Sequence, residues 1–144
     1  MMPSALTPQA RSLAITGAAL FMAGLLQGAV VDHFANPRMA LSAHLDGVQS
    51  GMAVMIAALF WHHAVLGAAA ERVARWTLAV GMVGLWVALS LSAITGASDS
   101  LPMAGEGYAA EPAAEAVVSA LVLASSAAIV TGWGLFLLGL IRRP

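Results

Sequence analysis

The sequence predicts an all-α integral membrane protein, a four-helix bundle forming a single transmembrane domain over residues 1–144. Three observations carry that expectation. The chain is 60% hydrophobic and 9% charged, whereas ordinary soluble domains carry about 25% charged residues. So few charges cannot coat a water-facing surface. Four apolar stretches follow one another, each long enough to cross a bilayer as a helix of roughly 20 residues. Polar breaks rich in proline, glycine and arginine separate them.

The same composition excludes several functions. Net charge is −1, and no basic patch offers itself to a phosphate backbone, which argues against nucleic acid. There is no cysteine. Disulfides, thiolate metal sites and cysteine nucleophiles are therefore absent.

Residues 1–10, MMPSALTPQA, are polar with two prolines and read as a short disordered lead. The apolar run after Arg11 is longer than that of a signal sequence and lacks a clear small-residue cleavage site. It reads as a retained first span over about 12–33. Gly24 and Gly28 give that helix a GxxxG notch for close packing, and Gln27 is its strongly polar interior group. Asn36 is a good N-cap, and Pro37 suits the first helical position because it has no N–H to leave unpaired. The second helix is expected over about 37–66. The third follows Gly67–Glu71 and covers about 72–97, with Arg72 and Arg75 at its start. Ala97–Pro112, ASDSLPMAGEGYAAEP, is the longest connection and holds Tyr108. The fourth helix covers about 113–140, and Arg142 and Arg143 follow it.

All six basic residues are arginine. With four spans, Arg11, Arg72, Arg75, Arg142 and Arg143 fall on one side. Arg38 lies opposite, among Asp32, Asp99, Glu106 and Glu111. The positive-inside rule then puts both termini in the cytoplasm, with the protein multi-pass in the inner membrane.

The chemistry concentrates in Asn36–Ala57, NPRMALSAHLDGVQSGMAVMIA. An ionisable group inside a span is costly and usually faces the bundle interior or a cavity. His44 has Gly47 and Gly51 three and seven residues on, sharing its face. The plain reading is an imidazole bonded to a neighbour, with two glycines that let another helix approach. The sharper reading is an axial ligand to haem iron, with Gly47 and Gly51 flooring a flat apolar slot. A porphyrin needs only one protein ligand, whereas zinc wants three or four. Asp46 is an ion-pair partner, Arg38 being the nearest choice, or a proton carrier. Ser50 is one turn beyond Asp46, so the two can share a cavity, although a serine hydroxyl often bonds back to its own helix. Asp32 and His33 read as interfacial polar residues, as do His62 and His63 after Phe60-Trp61. Tyr108 reads as a loop anchor.

Asn36-Pro37-Arg38, Leu41, His44-Leu45, Gly47 and Gly51 resemble the bacterial hydroxylaminobenzene mutases. Pro102, Ala104-Gly105, Gly107, Pro112, Glu115 and Val117-Val118 look like that family's last loop and helix. More distantly the chain is similar to styrene oxide isomerases. The resemblance implies a small four-helix membrane isomerase, a homotrimer with haem b, whose iron acts as a Lewis acid held by the histidine matching His44. It implies rearrangement of an arylhydroxylamine to an aminophenol, with a small apolar aromatic substrate and the cofactor between subunits. Asp46 or Ser50 would then move a proton or position water. Two positions depart from the epoxide isomerases. Ser50 stands where they place an asparagine, and Ser92 or a neighbour where they place a tyrosine. These departures favour the mutase over epoxide-to-aldehyde chemistry. A non-enzymatic haem-binding membrane protein, with His33 as a conceivable second ligand, is the competing class.

Overall fold

A computed structural model describes residues 6–142. Four helices account for most of the described chain: α1 (Pro8–Gly28), α2 (Pro37–Phe60), α3 (Ala68–Thr95) and α4 (Pro112–Ile141). One-turn 3₁₀ segments at Val31–His33 and Trp61–His63 follow α1 and α2. The described residues contain no strand. All four helices are long and apolar enough to cross a membrane, the second counted with its 3₁₀ extension to His63. The protein is therefore a multi-pass membrane protein.

The first span begins earlier and ends earlier than its hydropathy predicts. Thr7 caps α1 by accepting from the Ala10 amide at 3.2 Å, and Pro8 takes the first helical position. Residues 8–10 are thus helical rather than part of a lead, while residues 1–5 lie outside the described chain. At the other end the Ala29 amide is shared between the carbonyls of Leu25 and Leu26. That tightens the last turn, and the chain leaves the α-helix five residues before the expected end at 33. Asn36 and Pro37 start α2 as expected, with Asn36 Oδ1 accepting from the Met39 amide at 3.1 Å. Gly96 ends α3 in the left-handed region at φ 82°, which glycine adopts without steric cost.

The helices pack as two hairpins, α1 on α2 and α3 on α4, joined mainly through α2 and α3. Glycines set both contacts. A Cβ on Gly24 would lie 2.7 Å from the Val48 nitrogen, and one on Gly51 would lie 2.5 Å from the Phe21 nitrogen. In the other hairpin, a Cβ on Gly132 would lie 2.8 Å from the Leu78 nitrogen. Lipid tails are as apolar as leucine, so close backbone approach is what favours association inside a bilayer.

Arg75 Nη1 donates to Ser12 Oγ at 3.4 Å, which puts the starts of α1 and α3 at one end of the bundle. Trp61 near that end is buried rather than interfacial: it stacks on Phe136 at 5.5 Å and donates to Glu71 Oε1 at 3.0 Å. Residues 97–111 cover the opposite end. Glu115 holds them by accepting from the amides of Ser98, Asp99 and Ala110 at 2.9–3.1 Å. Asn36 Nδ2 donates to the Ala104 carbonyl at 3.1 Å.

Candidate functional site

His44 sits on the side of α2 that meets the C-terminal turn of α1. Its Nδ1 lies 2.8 Å from the Gly24 carbonyl oxygen. A carbonyl only accepts, so Nδ1 carries the proton and donates it. In the tautomer with its proton on Nδ1, the lone pair is on Nε2. This is how histidine ligands are commonly oriented, with the far nitrogen bonded to the protein and the near one left for the metal.

Two glycines of α1 make that contact possible. A Cβ on Gly28 would lie 2.5 Å from His44 Nδ1 and 2.7 Å from Cε1. The missing side chain is therefore the space the imidazole occupies. Gly24 and Gly47 meet at the helix crossing, where a Cβ on Gly47 would fall 2.8 Å from Gly24 Cα. That close crossing brings the Gly24 carbonyl down to the ring.

The structure shows no open slot at Gly47 and Gly51 among the described residues. Both glycines are buried beneath α1, Gly47 against Gly24 and Trp86, Gly51 against Gly17 and Phe21. Their face is occupied by α1. On the same stretch of α1 and α2 as the half-buried His44, Leu25, Leu41 and Leu45 are exposed.

Asp46 and Ser50 do not join His44. Two residues along an α-helix turn the side chain by about 200°, so Asp46 points to the far side of α2. There Ser50 Oγ donates to Asp46 Oδ1 at 3.1 Å, and Ser50 is buried. Asp46 Oδ2 is buried and finds no partner among the described residues. Arg38 does not pair with Asp46: its guanidinium donates to the Glu106 carbonyl and stands 5.7 Å from the Tyr108 ring centroid. Tyr108 is thus held as a loop anchor. Asp32, His33, His62 and His63 are exposed. Among the described residues no group of three or more His, Cys, Asp or Glu side chains is placed to hold a metal ion. A protein-only metal centre has no ligand set there, whereas a macrocycle needs one imidazole.

Residues missed in the sequence include Gly24 and Gly28, which read as packing positions and also seat the imidazole. Gln27 and Trp86 both neighbour Ser90, whose Oγ reaches Gln27 Oε1 and the Trp86 carbonyl. Gln27 is buried and accepts from Ser90 Oγ at 3.2 Å. Its Nε2 and the Trp86 Nε1 find no partner among the described residues. The GxxxG spacing announced a helix contact, but nothing in it named His44 as the group beneath.

Residues 9–141 match the family described as styrene oxide isomerase. Hydroxylaminobenzene mutase HabB of Ectopseudomonas oleovorans is 34% identical over 143 residues, 99% of this chain and 87% of that relative. Hydroxylaminobenzene mutase HabA of the same organism is 32% identical over 128 residues, 88% of this chain and 95% of the relative. No solved structure matches the chain.

Proposed function

The chain belongs to the styrene oxide isomerase family, and from that premise we propose that it rearranges an arylhydroxylamine such as hydroxylaminobenzene to an aminophenol. That it is an isomerase of the mutase type follows from its two relatives, similar over nearly the whole chain. The substrate comes from their names. The observation that carries the cofactor is the bond from His44 Nδ1 to Gly24, which leaves Nε2 free to ligate.

The donor fits a haem b, which His44 would hold through Nε2. Bound there, ferric haem would supply a Lewis acid for the substrate oxygen, without net redox change. Every other contribution comes from the chain. Gly24 fixes the tautomer and direction of the ring. Gly28 leaves the ring room. Leu25, Leu41 and Leu45 offer an apolar surface to a flat ring system and to an aromatic substrate arriving from the bilayer. The α1–α2 crossing is filled among the described residues, so this proposal places the haem outside it. A second copy would cover the exposed side, and the trimer expected from the family would do so. Excluding water there protects an electron-poor ring from stray hydration. Both chain ends, with their arginines, take the cytoplasmic side of the inner membrane in this proposal.

The rearrangement conserves every atom. The N–O bond breaks, a C–O bond forms at a ring carbon, and that carbon's proton leaves as the nitrogen regains one. Asp46 and Ser50 stand across α2 from His44, so direct proton transfer at His44 is not assigned to them.

The family match favours a second reading, isomerisation of styrene oxide to phenylacetaldehyde. One assay separates the two. Purified protein is given hydroxylaminobenzene and, separately, styrene oxide. We expect 2-aminophenol as the main product. Turnover of the epoxide alone would replace the mutase reading with the second one.

A further inference from the structure

A cavity of about 250 Å³ lies between the loop-side half of α2, α3 and residues 100–104. Met39, Ser42, Leu89, Ser100, Leu101 and Ala104 line it. It is on the Asp46 side of α2, because Ser42 precedes Asp46 by one turn on the same face. It is therefore distinct from the His44 surface across the helix.

Two polar side chains, Ser42 and Ser100, give the cavity its chemistry. Ser42 Oγ donates its proton to the Arg38 carbonyl at 3.1 Å, so it has only lone pairs to offer elsewhere. Ser100 Oγ is buried without a partner among the described residues. Leaving such an atom unpaired costs free energy. The remaining lining is apolar. The volume is below that of a site for a drug-sized ligand, and it suits a single substituted benzene ring.

We propose that this cavity binds a small aromatic carrying N–H or O–H donors, with its ring against Met39 and Leu89 and its donors on Ser42 and Ser100. The polar side is rich in acceptors, which selects an aromatic amine over a hydrocarbon of the same shape. Hydroxylaminobenzene and 2-aminophenol both belong to this class. Their identification as the natural ligands rests on the mutase reading, whereas the donor preference does not. A site at the loop end of α2 would hold such a molecule between the bilayer and the water beyond residues 97–111.

Aniline and toluene have nearly the same shape, and only aniline carries donors. Their binding to the full-length protein in detergent is measured by ligand-observed NMR, with empty micelles subtracted. We expect aniline to bind at least about tenfold more tightly than toluene, a difference of about 1.4 kcal/mol. Ser42→Ala combined with Ser100→Ala should remove that preference while keeping toluene. Ala104→Phe, which fills the cavity from the loop, should weaken both. Equal binding of the two probes to the wild type would overturn the proposal. So would an aniline affinity unchanged in both variants. The measurement involves neither turnover nor haem. A protein that binds aniline as expected but has no mutase activity would defeat the mutase reading alone.

Discussion

Gly28→Ala tests the seating of His44 with the smallest possible change. The added methyl carbon would lie 2.5 Å from Nδ1 and 2.7 Å from Cε1, whereas ordinary contact begins at 3.4 Å. The ring must retreat by roughly 1 Å, or α1 must lift; overpacking of this kind costs about 1–3 kcal/mol. Either movement stretches the 2.8 Å bond to Gly24, whose loss costs about 0.5–1.5 kcal/mol more. Removing the outer partner of a metal-bound histidine typically lowers metal affinity about 10–100-fold. The assay is a haem titration followed by absorbance, with helix content checked by circular dichroism. Gly134→Ala is the control, since nothing lies within 4 Å of a Cβ at that position. There the change should be neutral or stabilising by up to about 1 kcal/mol. Unchanged haem affinity in a folded Gly28→Ala protein would refute the reasoning from Gly28 to the imidazole.

Other perturbations act on separate parts of the structure. Gly47→Val forces side-chain atoms into Gly24 and Trp86; it should separate α1 from α2 and lower Tm, whereas Gly67→Ala, with nothing within 4 Å, should not. Glu115→Ala removes the acceptor for three loop amides; limited proteolysis should then cut residues 97–111 faster while the helical signal persists. Arg38→Ala loses the Glu106 carbonyl and the Tyr108 ring, and should loosen the same loop by a smaller amount in the same assay. Trp61→Phe keeps an aromatic ring against Phe136 but loses the bond to Glu71; chemical unfolding should show a loss of about 1 kcal/mol.

The spans were readable because low charge and long apolar runs leave few alternatives in a bilayer. Asn36 and Pro37 fixed the start of α2, since cap chemistry is local. The start of α1 is hidden in the sequence because the polar residues around Pro8 and Gln9 look like a lead. Thr7 capping and Pro8 at the first position were the signal that outweighs them. His44 was recognised as the group to explain, but its partner was not, because the Gly24–Gly47 crossing joins residues from two helices. The glycine face read equally well as packing or as a slot, and only the position of α1 decides for packing. Asp46 looked close to His44 in sequence, yet helix geometry sends the two side chains to opposite sides. Its unpaired oxygen and the cavity beyond Ser42 depend on where residues 100–104 fold back, which no local pattern encodes.

The absorption spectrum of the purified protein, loaded with haem and compared with His44→Ala, bears most directly on the imidazole as ligand. A Soret band that disappears in His44→Ala, together with mutase activity, is the expected result. A colourless wild-type protein that still converts hydroxylaminobenzene to 2-aminophenol would contradict it, as would a band unchanged in the variant.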